Sequence, residues 1–311
     1  MIMHEKMNFG GWPNCIRIFN KESELIVSTD IGPRILRFGF INSQNFFHLS
    51  PDDLGKTGGP DWRIYGGHRL WHAPEATPRS YFPDNDPVKY SFFSNTIKLV
   101  QPKETTTGIV KEIEISLSPD SNHATVLHRL INENLWDIEC SPWAISALAQ
   151  GGYAIIPHEP YGEGNDFLLP SRPLVLWQYT RMADPRWIWG NKYIQAKQVP
   201  ELIAEQKMGV LNKQGWTAYS LNGEILIKKF EYRPGAIYPD FNSNNEIYIN
   251  GNLLEIETLG PMTKIPPHGS VEHTEHWMLA KGQVEESEES IDEVILPLVN
   301  SFSTEIPKHE C

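Results

Sequence analysis

The sequence predicts an all-β protein, a large β-sandwich followed by a short C-terminal helix. Three observations carry this prediction. Short runs of β-branched and aromatic residues recur along the chain with turn residues between them. The run 111–118 alternates in polarity, with Ile113, Ile115 and Leu117 on one face. Helical periodicity is scarce before residue 284, so about a dozen strands must pack on one another.

The predicted strands extend from near the N-terminus to residue 279. In chain order they are 16–20, 24–29, 35–40, 111–118, 125–132, 153–156, 174–179, 215–220, 225–230, 247–249, 253–259 and 271–279. Asn222-Gly223 between two of them predicts a tight hairpin. Residues 46–90 are rich in glycine and proline, which predicts an irregular stretch wrapped around a site. A short helix is predicted at 200–209.

The C-terminal segment differs in composition from the rest of the chain. Six acidic residues lie between Glu285 and Glu293, and apolar residues then recur at helical spacing. We therefore predict a single sandwich domain at 1–283 and an acidic helix and tail at 284–311. The apolar stripe of this helix would pack on the body or on a partner subunit, which leaves a homo-oligomer open.

Composition excludes some classes of partner. The net charge of −12 disfavours nucleic acid and anionic membrane surfaces. Cys15, Cys140 and Cys311 are odd in number and far apart, which favours a reducing compartment without disulfides. Neither a signal peptide nor an apolar run of 18 residues is visible, so we expect a cytoplasmic protein that does not span a membrane.

The segment 66–75 holds the densest group of reactive side chains. They are two imidazoles, a guanidinium, an indole and a carboxylate, contributed by His68, Arg69, Trp71, His72 and Glu75. A Gly-Gly pair precedes them, and Pro74 disfavours a helix through them. We therefore predict a rigid loop or strand end that presents binding groups.

A second polar group lies on the predicted strand 253–259. Glu255 and Glu257 are two residues apart, so both carboxylates point to one face. Their repulsion would raise one pKa if the face is enclosed, which suits a general acid or base, although a solvated outer face is the alternative. Asp240 and Glu246 are either acceptors for sugar hydroxyls or acids of a turn and a strand edge. Tyr238 lies on the same approach as Asp240.

The order of these motifs resembles a known superfamily. A strand ending in Glu257-Thr258, the Gly-Pro break at 260–261 and the turn containing Gly269-Ser270 are similar to the end of galactose mutarotase-like proteins. The segments 31–35 and 66–69 resemble the N-terminal hairpin and the Gly-Gly-x-Arg stretch of that superfamily. The resemblance covers most of the chain and implies the β-supersandwich fold of the aldose 1-epimerase relatives.

The resemblance also implies roles for individual residues. Glu257 matches the glutamate that acts as general base toward the anomeric hydroxyl, and Arg69 matches the substrate-binding arginine. The superfamily's acid is a histidine on a central strand, but the corresponding stretch 143–152 has none. His68, His72 or His158 would therefore have to take its place, and we expect His68 or His72 to donate the proton to the ring oxygen.

We accordingly predict a carbohydrate-active protein, possible in three forms: an aldose epimerase or mutarotase, a non-catalytic sugar-binding protein, or a lyase or other enzyme on the same scaffold. Its ligand would be a small carbohydrate. The predicted catalytic residues are Glu257, His68 and His72. The predicted substrate-binding residues are Arg69, Trp71, Glu75, Tyr238, Asp240 and Glu255. We predict no cofactor and no metal, because Pro74 disfavours the helix on which His68, His72 and Glu75 would form a metal site.

Overall fold

Two large antiparallel β-sheets pack face to face, which confirms the predicted all-β sandwich. The computed structural model describes residues 2–159 and 169–302. Residues 303–311 of the predicted tail, including Cys311, lie outside the described residues. No helix within the described ranges is long and apolar enough to cross a membrane.

The described residues contain 21 strands. In chain order they are β1 (Met3–Phe9), β2 (Trp12–Phe19), β3 (Ser23–Ser28), β4 (Arg34–Phe40), β5 (His68–Ala73), β6 (Lys89–Phe93), β7 (Thr96–Val100), β8 (Ile109–Leu117), β9 (His123–Asn132), β10 (Ile138–Leu148), β11 (Tyr153–Pro157), β12 (Leu174–Leu176), β13 (Trp187–Trp189), β14 (Tyr193–Lys197), β15 (Gln206–Val210), β16 (Trp216–Leu221), β17 (Glu224–Phe230), β18 (Asn245–Ile249), β19 (Leu254–Leu259), β20 (Thr263–Ile265) and β21 (Ser270–Lys281). The helical elements are 3-10 turns at Pro51–Asp53 and Arg79–Tyr81, a left-handed turn α1 (Pro239–Asn242), α2 (Glu288–Ser290), a π-helical turn (Ile291–Ile295) and α3 (Leu296–Ser301).

Sheet 1 has the strand order β1-β2-β3-β4-β5-β10-β19-β18-β15-β12, with β20 paired to β10. Sheet 2 has the order β13-β14-β11-β16-β17-β21-β9-β8-β7-β6. The hairpin predicted at Asn222-Gly223 joins β16 and β17, and both residues have the positive φ that a type I′ turn requires. Sheet order therefore brings β5, β10 and β19 together at the centre of sheet 1, although they are far apart in the sequence.

The C-terminal segment packs on the outer face of sheet 2. Successive strand residues point to opposite faces. Leu226 accordingly packs in the core between the sheets, whereas Ile225 and Ile227 belong to a separate apolar cluster. Ile291 and Ile295 of the C-terminal segment complete that cluster. The predicted apolar stripe therefore contacts the body of the same chain.

The segment 66–75 forms a central strand rather than the predicted rigid loop or strand end. Its residues 68–73 are β5, which pairs with β4 and β10. Gly66 allows the approach: its φ is 87°, and a Cβ there would lie 2.1 Å from the carbonyl oxygen of His48. The Gly-Gly pair thus begins a strand by letting two backbones pass closely, and Pro74 follows the last strand residue.

Two other expectations were also wrong. The helix predicted at 200–209 is absent from these described residues, and β15 occupies its second half. Pairing with β12 and β18 on both sides overrides a weak helix propensity that Gly209 lowers further. The strands also outnumber the predicted dozen, in part because three-residue strands such as β13 and β20 are too short to show alternation.

Candidate functional site

The outer face of sheet 1 carries a row of polar side chains across its central strands. The register places Arg69 on β5, Ile145 on β10, Glu257 on β19 and Glu246 on β18 side by side. In-register residues of an antiparallel sheet point to the same face, so these side chains project together. Glu255, two residues before Glu257, shares that face as the alternation predicted.

Lys207 on β15 links two of these carboxylates. Its Nζ lies 2.9 Å from Oε2 of Glu257 and 2.9 Å from Oε2 of Glu246. Burial opposes the charge of this ammonium, but the two carboxylates raise the pKa of Lys207 well above its ordinary value. The Nε1–H of Trp143 donates a second hydrogen bond to Oε2 of Glu257, at 2.7 Å. Both donors therefore hold the same oxygen.

Arg69 is fixed by an acid and an aromatic ring. Its Nη1 donates to Oε1 of Glu255 at 3.0 Å, and its guanidinium carbon lies 4.9 Å from the centre of the Trp71 ring. Its Nε, which is buried, has no hydrogen-bond partner in the described part of the chain. A buried donor without a partner is costly, so this Nε is available to a ligand hydroxyl.

Aromatic side chains wall one side of the row. Trp71 lies edge-to-face against Trp62, Tyr81 and Trp143, with ring centres 5.7, 5.2 and 5.4 Å apart. Trp62 also meets Tyr81 edge-on at 5.4 Å. Aromatic edges and faces of this kind offer apolar surface to the C–H faces of a sugar ring.

Partly exposed residues form the rim. The hydroxyl of Tyr81 donates to Glu75, which is exposed. Asp240 lies in the left-handed turn α1 with φ of 49°, an unusual backbone for a residue other than glycine. Burial raises its pKa, while nearby Lys207 acts in the opposite direction. Asp240 at the rim is thus close enough to Lys207 on β15 for their charges to interact.

The site carries more negative than positive charge. Its five acids are Glu75, Asp240, Glu246, Glu255 and Glu257, and its two cations are Arg69 and Lys207. Burial raises the pKa of Glu246 well above its ordinary value, and Lys207 only partly offsets this. Burial also raises the pKa of Glu255 against the effect of Arg69. Some of these acids therefore hold protons more tightly than an exposed carboxyl would.

Known proteins resemble this chain in structure but not in sequence. No family model matches the sequence, and the comparison with curated proteins found no match. A galactose mutarotase-like protein from Lactobacillus casei aligns with a TM-score of 0.55 at 10% identity, over 86% of this chain and 100% of its own. One from Clostridium acetobutylicum aligns with a TM-score of 0.53 at 11% identity, over 90% and 98%. The chain has the galactose mutarotase-like fold.

A longer protein contains the same fold. A TPR-domain containing protein from Parabacteroides distasonis aligns with a TM-score of 0.59 at 14% identity over 87% of this chain. This chain spans 48% of the length of that protein. The mutarotase-like fold therefore also occurs as part of a larger chain.

The mutarotase-like fold brings most of the predicted site residues together. Those on the outer face of sheet 1 or its rim are Arg69, Trp71, Glu75, Asp240, Glu255 and Glu257. Tyr238 is placed differently, because its buried hydroxyl accepts a hydrogen bond from the backbone N–H of Arg233 at 2.9 Å. That bond gives Tyr238 a structural role in holding the chain before α1.

His68 and His72 lie on the opposite face of β5 from Arg69. Both are fully buried. His68 contacts Ser146 at 2.8 Å through Nδ1 and His128 of sheet 2 at 2.7 Å through Nε2. The predicted proton transfer from either histidine to a sugar on the Arg69 face is incompatible with this placement, because the strand itself separates them.

The histidines belong to a polar network between the sheets. Nδ1–H of His128 donates to the carbonyl of His273, so its Nε2 accepts from His68. Lys228 Nζ lies 2.7 Å from Oε1 of Glu275, which also accepts from Thr258 and, through Oε2, from Trp277. Ligand atoms of His68, His128 and Glu275 lie within 4.8 Å of one another. The neighbouring Lys228 ammonium makes this donor set a poor fit for a metal cation.

This network predicts loss of stability in acid. Burial lowers the pKa of His273 to about 3 and lowers the pKa values of His68 and His128. Between pH 6.5 and 3 the unfolded chain therefore binds protons that the folded chain does not, so stability falls as pH falls. Each such histidine lowers the free energy of unfolding by about 1.4 kcal/mol for every pH unit below its ordinary pKa. The acids whose pKa is raised by burial offset part of this loss. Urea unfolding at pH 7.5, 6.5 and 5.5 measures this, and equal free energies at all three would contradict it.

The sequence did not identify Lys207 and Trp143 as site residues. Lys207 fell in the stretch predicted as helix, and its partner Glu257 lies 50 residues away. Trp143 begins the stretch 143–152, in which the resemblance led us to expect a histidine. Trp143 could have been identified as a site residue only from the pairing of β10 with β5 and β19. That pairing joins residues far apart in the sequence, so no local pattern shows it.

Proposed function

We propose that the protein is an isomerase of the aldose 1-epimerase type, which exchanges the anomers of an uncharged aldose. The observation that carries the proposal is the setting of Glu257. Within the described residues, the hydrogen bonds to its carboxylate, from Lys207 and Trp143, both end on Oε2. Oε1 is left for a substrate hydroxyl, as a general base requires.

The roles of the other residues follow from their placement. Oε1 of Glu257 would take the proton from the anomeric hydroxyl. Nε of Arg69 would donate to a ring hydroxyl, while Glu255 and Asp240 would accept from others. Trp71 would contact the apolar face of the ring, and Glu75 would stand at the rim.

The charge of the site supports an uncharged substrate. Five acids face two cations, so a phosphate or carboxylate on the sugar would meet net negative charge. Like charges brought together in a binding site cost several kcal/mol. A neutral sugar instead supplies several hydroxyl donors to the excess carboxylates.

Exchange NMR on a panel of neutral aldoses tests this function. We expect the protein to accelerate exchange between the α and β anomers of at least one sugar, and to act at least about tenfold less well on the 6-phosphate of that sugar. The control is the spontaneous exchange rate in the same buffer. No acceleration for any neutral aldose at high protein concentration would contradict the proposal.

A non-catalytic sugar-binding protein is the second candidate. It is favoured because the side chain beside Glu257 on the central strand β10 is that of Trp143. The indole of Trp143 does not titrate, so it cannot replace the superfamily's histidine as an acid. Saturable binding of a sugar, without any acceleration of its anomer exchange, would support this candidate over the isomerase.

The same proposal places the protein in the cytoplasm. Cys15 and Cys140 are buried free thiols, and burial raises the pKa of each to about 11. Thiols of this kind react slowly and need no oxidising compartment. We also propose that residues 1–283 act as one domain, with the C-terminal segment serving to cover sheet 2.

A further inference from the structure

Anomer exchange needs a proton donor for the ring oxygen, and the histidines cannot supply it. His68 and His72 lie behind the sheet. On the face that carries Glu257, the groups that could hold a transferable proton near it include Lys207, Glu246, Asp240 and Glu255. Glu255 already accepts a hydrogen bond from Arg69 at 3.0 Å, which favours its ionised form. The Lys207 ammonium is held by two carboxylates at 2.9 Å each, so it releases its proton reluctantly.

Glu246 stands directly beside Glu257. The two residues are opposite each other in the register of β18 and β19, and Lys207 lies between their carboxyl groups. Glu246 is 0% exposed, and neither of its oxygens accepts a well-aligned hydrogen bond within the described ranges. The one charge that offsets its burial is the Lys207 ammonium 2.9 Å away, which Glu246 shares with Glu257, so the ionised form of Glu246 costs more than the neutral form.

Asp240 adds a negative charge near Glu246, which also raises the pKa of Glu246. Lys207 supplies a single ammonium for the carboxyl groups of Glu246 and Glu257, and Glu257 alone also accepts the Trp143 N–H. Glu246 is therefore the carboxyl group of this pair that holds a proton, which leaves Glu257 to act as the base.

We propose that Glu246 is the general acid that protonates the ring oxygen of the sugar. This inference rests on the proposed isomerase function. It gives two carboxyl groups on neighbouring strands the two opposite tasks of acid and base, a division that their different surroundings support.

The step balances in protons and bonds. Oε1 of Glu257 takes the proton from the anomeric oxygen, the C1–O1 bond becomes a carbonyl, the bond from C1 to the ring oxygen breaks, and Glu246 gives its proton to the ring oxygen. After rotation about C1–C2, Glu246 takes that proton back, the ring oxygen attacks the other face of C1, and Glu257 returns its proton to O1. No oxidant or cofactor takes part.

Glu246→Gln and Asp240→Asn test the assignment. Glu246→Gln is expected to lower kcat by about 10²–10⁴-fold with KM changed by less than about threefold, because the amide is not an acid. The groups facing Glu246 are Lys207, Glu257 and Asp240. Asp240→Asn removes one negative neighbour, so Glu246 should lose its proton at lower pH and the alkaline limb of kcat/KM should move down.

The outcomes separate this inference from the function on which it rests. An inactive wild-type protein would overturn the proposed function itself. An active wild type together with a Glu246→Gln variant that keeps more than half of the activity would overturn only the role of Glu246. If Glu246→Gln does not fold, Asp240→Asn decides: a lowered alkaline limb supports the proposal, and an unmoved limb contradicts it. Glu114→Gln on β8 of sheet 2 is the matched control.

Discussion

Replacing Glu257 by glutamine is expected to lower kcat for anomer exchange by about 10²–10⁴-fold. The amide has the shape of the carboxylate and keeps an oxygen for Lys207 and Trp143, but it cannot accept a proton from the anomeric hydroxyl. Sugar binding should therefore survive while turnover is lost. Exchange NMR gives kcat, and a binding isotherm with the same sugar gives the affinity.

The matched control for this variant is Glu114→Gln. Glu114 is also a strand glutamate paired with an arginine, but it lies on β8 of sheet 2, away from the site. It should leave the exchange rate unchanged. Full activity of a folded Glu257→Gln variant would show that Glu257 is not the base.

Replacing Lys228 by methionine is expected to lower the free energy of unfolding by about 3–5 kcal/mol. The side chains of Lys228 and Glu275 are 1% and 0% exposed. Removal of the ammonium leaves a charged carboxylate buried between the sheets, and its remaining donors among residues 2–159 and 169–302 are Thr258 and Trp277. Urea unfolding at neutral pH measures the change.

A surface pair supplies the comparison for Lys228. Lys264 and Asp137 make an ion pair at 2.9 Å, but their side chains are 72% and 44% exposed. The same substitution, Lys264→Met, should cost less than about 1 kcal/mol because water already solvates both charges. Equal losses for the two lysine variants would contradict a special role for the buried pair.

The alternation of residues along a strand correctly predicted that two acidic side chains share a face. It placed Glu255 and Glu257 on one face, and the register of β10 and β19 agrees. The same rule separates His68 and His72 from Arg69. The glycine pair and Pro74 instead favoured a rigid loop or strand end in that segment. The glycine pair at 66–67 does have a structural cause, but that cause is the close approach of two backbones at the start of a strand.

The partners of the acids could not be read from the sequence. Lys207 reaches Glu257 only because β18 lies between β15 and β19 in sheet 1. Strand order depends on packing across the whole sandwich, and no local pattern near Lys207 encodes it. The pairing of Arg69 with Glu255 has the same cause, since 186 residues separate the two.

A crystal structure of the Glu257→Gln variant with a neutral sugar that the wild type isomerises tests the central claim most directly. We predict that the sugar lies on the outer face of sheet 1, with its anomeric oxygen about 2.6–3.2 Å from the side chain at position 257 and its ring oxygen toward Glu246. A sugar bound elsewhere, or bound here with its anomeric carbon turned away from position 257, would contradict the account.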